Sequence, residues 1–196
     1  LAAMEDVHPA IGPYDSHDED VIDAHMKQCQ LAGLDALAVS WFYNKRNIGK
    51  DGPYSGASND DILESIMKIG SEHGLRICID MEAANLKAET LHAALTQYLS
   101  TYTGDPRVLH ARGKPVILCW STANLGIDTW TEITDDLRGD GLDGFYIPSQ
   151  QDDPAYLRFL EALEFYTPLS TTDSVMQQYT TARAEVDKWN REHPGD

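Results

Sequence analysis

A chain of 196 residues with 42% hydrophobic content carries enough apolar material for one domain-sized core. Its 32 acidic and 15 basic residues give a formal charge of −17, which repels phosphate backbones and anionic headgroups and excludes nucleic acid as a partner. Neutral ligands, sugars among them, are unaffected, and no apolar run approaches the roughly 20 residues needed to insert in a membrane.

The opening Leu1-Ala2-Ala3-Met4-Glu5-Asp6 has neither a basic nor an apolar stretch, so no signal peptide is read there. After a Pro/Gly-rich lead-in that ends near Tyr14, Ser16 or Asp18 is placed to cap a helix beginning near Glu19. Val21, Ile22, His25, Met26 and Cys29 recur at helical spacing, and Gly33 closes the helix. A strand over 36–42 and a polar loop over 43–58 follow. Asn59 or Asp60 caps a second helix with Ile62, Ile66 and Ile69 on its buried stripe, and Gly74 leads into a strand over 76–82. A helix over 88–102 precedes Gly113-Lys114-Pro115, which turns into a strand over 116–120. The pattern then gives a helix over 128–138, a strand over 145–148, and a helix from Asp153-Pro154 to Leu163. A short strand over 165–168 and a last helix over about 173–191 complete it.

Helices stopped by glycine and alternating with apolar strands argue for a parallel α/β sheet in a single domain, 1–196. About five strands are visible, fewer than the eight of a complete (β/α)₈ barrel, which takes about 250 residues. A doubly wound open sheet also fits the alternation. Gly139-Asp140-Gly141-Leu142-Asp143-Gly144 precedes a strand instead of following one, so it reads as a turn and not as a dinucleotide loop.

The strand over 76–82 carries the clearest functional signal. Ile77, Ile79 and Met81 fall on one face, and Cys78, Asp80 and Glu82 on the other. Polarity rises toward the carboxyl end on one face only, and in a barrel those ends form the floor of the active site. A carboxylate at the end of a buried strand is costly to desolvate, so Glu82 either meets a ligand or pairs with a Lys or Arg. Cys29, Cys78 and Cys119 have neither metal-type nor disulfide-framework spacing and read as free thiols. The histidines are scattered, and Ser40 and Ser121 lack a nucleophile-elbow context.

Several short segments resemble glycoside hydrolase family 99, the endo-α-mannosidase and endo-α-mannanase family. Gly12-Pro13-Tyr14-Asp15-Ser16-His17-Asp18, and Ala32-Gly33-Leu34-Asp35 running into Val39-Ser40-Trp41-Phe42, carry the resemblance first. Asp80-Met81-Glu82 is similar to the family's third strand and Gly113-Lys114-Pro115-Val116-Ile117 to its fourth. Asp143-Gly144-Phe145-Tyr146-Ile147 is similar to the fifth strand and Phe165-Tyr166-Thr167 to the sixth. The resemblance implies a (β/α)₈ TIM barrel, incomplete here, with the first strand and the last two strands outside the chain. It implies a retaining glycoside hydrolase that cuts internal α-mannosidic linkages of glycans, like an endo-α-1,2-mannosidase, through attack by the substrate's own 2-hydroxyl. An oligosaccharide or glycan is the expected partner, no cofactor or metal is expected, and the location is the Golgi lumen or extracellular.

By the same resemblance the family's two working glutamates lie in an Asn-Glu-x-x-Glu motif beyond Asp196, so no catalytic residue is assigned and the isolated chain is expected to be inactive. For substrate binding it points to Glu82 for sugar hydroxyls, to Trp41 and Trp120 as stacking surfaces, and to Tyr166, Tyr14 and Asp80 around the cleft. Core filling is the competing role for both tryptophans. Asp80 stands where the family has His, Ala83-Ala84 replaces Pro-Tyr, and Trp120-Ser121-Thr122-Ala123 replaces Tyr-Asp-Ser-Tyr. A non-catalytic carbohydrate-binding relative, a barrel hydrolase of another α-glycan such as α-1,3-glucan, and an open-sheet protein unrelated to glycans are the alternatives.

Overall fold

The computed structural model describes residues 12, 14–43, 60–83, 86–148, 172–192 and 194. Its elements alternate as α1 (Glu19–Leu31), β1 (Ala36–Trp41), α2 (Asp60–Glu72), β2 (Arg76–Glu82) and α3 (Ala88–Tyr102), followed by β3 (His110–Ala111) and β4 (Lys114–Trp120). Then come α4 (Gly126–Gly139), β5 (Phe145–Pro148) and α5 (Thr172–Glu192). The expected helix over 154–163 and strand over 165–168, Tyr166 included, lie outside the described residues.

Local chemistry explains the starts and stops. Asp18 caps α1 by accepting the Asp20 amide at 2.9 Å. At the other end Leu34 N donates to Cys29 O at 3.1 Å and Gly33 N to Gln30 O at 3.0 Å, the paired bonds of a Schellman cap. The same pair recurs after α2, with Leu75 N on Gly70 O and Gly74 N on Ser71 O. It recurs after α4, with Leu142 N on Leu137 O and Gly141 N on Arg138 O. The cap needs a left-handed residue, and Gly74 at φ +77° supplies it without a Cβ penalty. The following leucine turns inward: Leu75 is buried.

Strands β1, β2, β4 and β5 are parallel neighbours in that order, and β3 forms a short antiparallel hairpin with the start of β4. Register fixes two faces. Leu37, Val39 and Trp41 line up with Ile77, Ile79 and Met81, and the latter pair with Ile117 and Cys119. This face packs beneath Ile22 and Met26 of α1, Leu63 and Met67 of α2, Leu91, Leu95 and Leu99 of α3, and Trp130 and Leu137 of α4. Ala38, Ser40, Asp80, Glu82, Leu118, Trp120 and Ile147 belong to the opposite face.

The amino-terminal end of the sheet is braced separately. Ile77 N donates to Arg107 O at 2.9 Å, and the Arg107 guanidinium bonds Asp105 (Nη2 to Oδ2, 2.6 Å) and Glu64 of α2. Hydrogen bonds from Arg107 hold the Asp105 carboxyl below its usual range.

Candidate functional site

The face turned away from the helices is the one with chemistry on it. Three adjacent strands each end there on a polar or aromatic side chain: Ser40 on β1, Glu82 on β2 and Trp120 on β4. Glu82 and Trp120 are register partners, so carboxylate and indole stand side by side. Ser40 is the register partner of Asp80, one pleat below Glu82. Ser40 is exposed, while Asp80, Glu82 and Trp120 are half-buried.

Burial pushes the Glu82 carboxyl above its ordinary value, and a hydrogen bond with Ser40 opposes that shift. Among the described residues no Lys or Arg forms an ion pair with Glu82, so the salt-bridge explanation for a strand-end glutamate finds no support there.

The connection leaving β4 is anchored next to Trp120. Ser121 adopts a left-handed conformation (φ 60°, ψ 37°), uncommon for a residue with a Cβ. A 3₁₀ turn over Thr122–Asn124 follows, and Trp130 Nε1 of α4 donates to Thr122 O at 2.9 Å. Thr122 and Trp130 are both fully buried. Strain at a strand end, paid for by an anchored loop, is a common property of binding sites.

The structure therefore brings together three of the six residues singled out from sequence: Glu82, Asp80 and Trp120. Trp41 is a correction. It lies on the helix-packed face, only 2% exposed, with its ring 5.5 Å from Tyr43 and 5.7 Å from Tyr98 of α3. It fills the core and cannot offer a stacking surface from there. Tyr14 is exposed and meets His25 of α1 edge-on at 5.2 Å, in the helical layer. Ser40 was not a sequence candidate, because its partnership with Glu82 depends on strand register. The free thiols agree with expectation: Cys78 and Cys119 are buried and Cys29 is partly so. No group of three His, Cys, Asp or Glu side chains suited to a metal occurs among the described residues. No helix there is long and apolar enough to cross a membrane. An acidic groove between α3 and α4, crossed by the His92–Asp136 pair at 2.9 Å, lies in the helical layer and contributes nothing to the strand-end row.

Comparisons with known proteins point one way. A sequence model described as glycosyl hydrolase family 99 matches residues 3–194. The glycoprotein endo-α-1,2-mannosidase of Xenopus laevis is 36% identical over 75 residues, 38% of this chain and 16% of that protein. A glycoprotein endo-α-1,2-mannosidase-like protein of Danio rerio is 22% identical over 151 residues, 71% of this chain and 33% of that protein. Among solved structures, the GH99 endo-α-mannosidase of Bacteroides thetaiotaomicron in complex with bis-tris-propane superposes with a TM-score of 0.75 at 16% identity. That match covers 95% of this chain and 57% of the bacterial one, so the chain spans little more than half of that enzyme and a third or less of these two relatives. The fold is thus part of a TIM barrel, and the helix-free face of the sheet is the barrel's interior.

Proposed function

Because the chain belongs to glycosyl hydrolase family 99, we propose that the protein cleaves internal α-mannosidic linkages in glycans and that the row Ser40, Glu82 and Trp120 holds the sugar. The placement of Glu82 beside Trp120 at the carboxyl ends of parallel strands, inside the barrel, carries this reading. The relative named as a glycoprotein endo-α-1,2-mannosidase supports the linkage. An indole gives the apolar C–H face of a pyranose a flat surface, and an ionised glutamate accepts hydrogen bonds from sugar hydroxyls. A hydrogen bond to a charged group contributes about 1.5–3 kcal/mol, enough to orient one ring.

The finer mechanism follows the family resemblance: retention of configuration through attack by the substrate's 2-hydroxyl, assisted by a carboxylate. In this proposal, following the family resemblance, the working pair of glutamates belongs to an Asn-Glu-x-x-Glu segment beyond Asp196, and the strands of this chain contribute binding. Asp80, at the position of a family histidine, and Tyr166 belong to the cleft in this proposal. In this proposal the protein works in the secretory pathway or outside the cell.

Calorimetric titration of the 196-residue chain with an α-1,2-linked mannotriose and, in parallel, an α-1,3-linked glucotriose tests the reading. Selective binding of the mannoside without turnover is expected. Trp120→Ala should weaken it about threefold to tenfold, whereas Trp41→Phe should leave affinity intact and lower stability by about 1–3 kcal/mol. Equal binding of both sugars, or of neither, overturns it.

A further inference from the structure

Trp120 owes its place on the interior face to the way β4 ends. Among the described residues the ladder with β5 stops one residue earlier, at Cys119 opposite Pro148, and a proline has no N–H to offer it. Beyond Trp120 the chain leaves the sheet through Ser121, whose left-handed conformation (φ 60°, ψ 37°) is unfavourable for a residue with a Cβ. Relaxation to the common region of negative φ would swing the peptide joining Trp120 to Ser121, and with it the end of the strand.

The hold against that relaxation comes from outside the sheet. Thr122 O accepts Leu125 N at 3.3 Å within the 3₁₀ turn and, from α4, Trp130 Nε1 at 2.9 Å. The shorter of these bonds comes from a fully buried side chain, so water does not compete for it. Thr122 is fully buried as well, and its hydroxyl has no hydrogen-bond partner among the described residues. A strained backbone angle and an orphaned hydroxyl in consecutive residues persist only where the surroundings over-determine the segment. Trp130 does so by fixing the Thr122 carbonyl. Core filling accounts for its ring, and any buried indole N–H needs an acceptor. Here the acceptor is the backbone at the end of the strand that carries the stacking surface.

We infer that Trp130 is a positioning residue for Trp120: from the helical layer its indole N–H holds the Thr122 carbonyl, keeps the left-handed Ser121 turn, and so sets where the Trp120 ring meets a sugar. The inference rests on the glycan-binding role proposed for Trp120. A ring placed before binding has less freedom to lose when the complex forms. The two tryptophans thus divide the work, Trp120 meeting the ligand and Trp130 fixing the backbone behind it.

The test uses the 196-residue chain labelled with fluorotryptophan, its fluorine signals assigned by replacing each tryptophan in turn with phenylalanine, and the α-1,2-linked mannotriose. Trp130→Phe keeps an aromatic ring and loses the donor. In it the Trp120 signal should shift or broaden while that of Trp41, in the core against Tyr98 of α3, stays in place. Mannotriose binding should weaken about threefold, and by no more than in Trp120→Ala. In the Trp120→Ala background Trp130→Phe should weaken binding no further, because a residue that acts through Trp120 has nothing left to position. An unmoved Trp120 signal overturns the inference, and so does a loss that simply adds to that of Trp120→Ala. Where Trp130→Phe does not fold, Ser121→Val takes its place, since a β-branched residue at that φ is strained. The same change in the Trp120 signal is then expected, and its absence is equally fatal. A wild type that binds no mannoside sinks the glycan reading instead, and the fluorine signals still decide whether Trp130 holds Trp120.

Discussion

A carboxylate that meets solvent on one side only weakens the fold whenever it is ionised, and Glu82 is in that position. Its folded pKa is raised above the ordinary 4.5, chiefly by burial. The sign follows from linkage: the stability of the wild type relative to a neutral isostere is fully present below the unfolded pKa and is lost as pH rises through the folded one. Glu82→Gln should therefore melt higher than wild type at pH near 7, by up to about 2–4 °C, with the gap closing below the unfolded value. The same variant should bind mannoside less well, the exchange of stability for function expected at a binding site. Melting curves at a series of pH values decide it; a variant less stable at neutral pH would mean that Glu82 is part of a structural ion pair after all. Glu82 was legible in the sequence because polarity collected on one face of one strand. Trp41 was equally legible and was misassigned. The alternation Leu37, Val39, Trp41 put it with the apolar residues, and the family-like Ser-Trp motif outweighed that pattern. Ser40 was not legible, since nothing in a single strand tells which residue of the next strand lies diagonally across it.

At the scale of elements, the joints between helix and strand were the readable part. Each of Gly33-Leu34, Gly74-Leu75 and Gly141-Leu142 closes a helix with the same two hydrogen bonds, and the first two were read correctly as helix stops. The α3 limits agree with the expected helix over 88–102, and Leu91, Ala94, Leu95, Tyr98 and Leu99 form its buried stripe. The β3–β4 hairpin carries no such signal in the sequence. Its turn residues, Arg112 at φ 51° and Gly113 at φ 79°, have two successive positive angles, but Arg-Gly lacks the Asn-Gly or Asp-Gly signature of such turns. Gly144 has a different duty from the helix-closing glycines. A Cβ there would lie 3.0 Å from Ile117 Cδ1 and 3.0 Å from the Tyr146 ring, and both of those side chains are fully buried. Gly144→Ala should cost about 1–3 kcal/mol through overpacking. Gly139→Ala, at the end of α4 with nothing within 4 Å, should instead be neutral or stabilising by up to about 1 kcal/mol. Denaturant midpoints at constant slope compare the two directly; a tolerated Gly144→Ala would show that β5 can shift relative to β4.

For the molecule as a whole, two opposing terms decide how the 196-residue chain behaves alone. Among the described residues β1 pairs only with β2, which leaves a strand edge whose amide and carbonyl groups can template pairing with another chain. The interior face of the sheet adds exposed Ala38 and half-buried Leu118 and Ile147, apolar surface that a second copy could cover. Against both stands the formal charge of −17, which makes two copies repel at long range. The balance depends on ionic strength. Salt shortens the reach of the repulsion from about 30 Å at 0.01 M to about 8 Å at 0.15 M and about 3 Å at 1 M, while strand pairing and apolar contact persist. The chain should therefore sediment as a monomer in dilute buffer and associate as salt is added, in the order opposite to that of a charge-driven complex. Sedimentation velocity at fixed protein concentration across that salt range measures it. Ser40→Lys, a charge placed on the edge strand, should push the onset to higher salt. A chain that stays monomeric at high salt, or one whose oligomers dissolve as salt rises, would mean that neither the β1 edge nor the interior face is available to a partner.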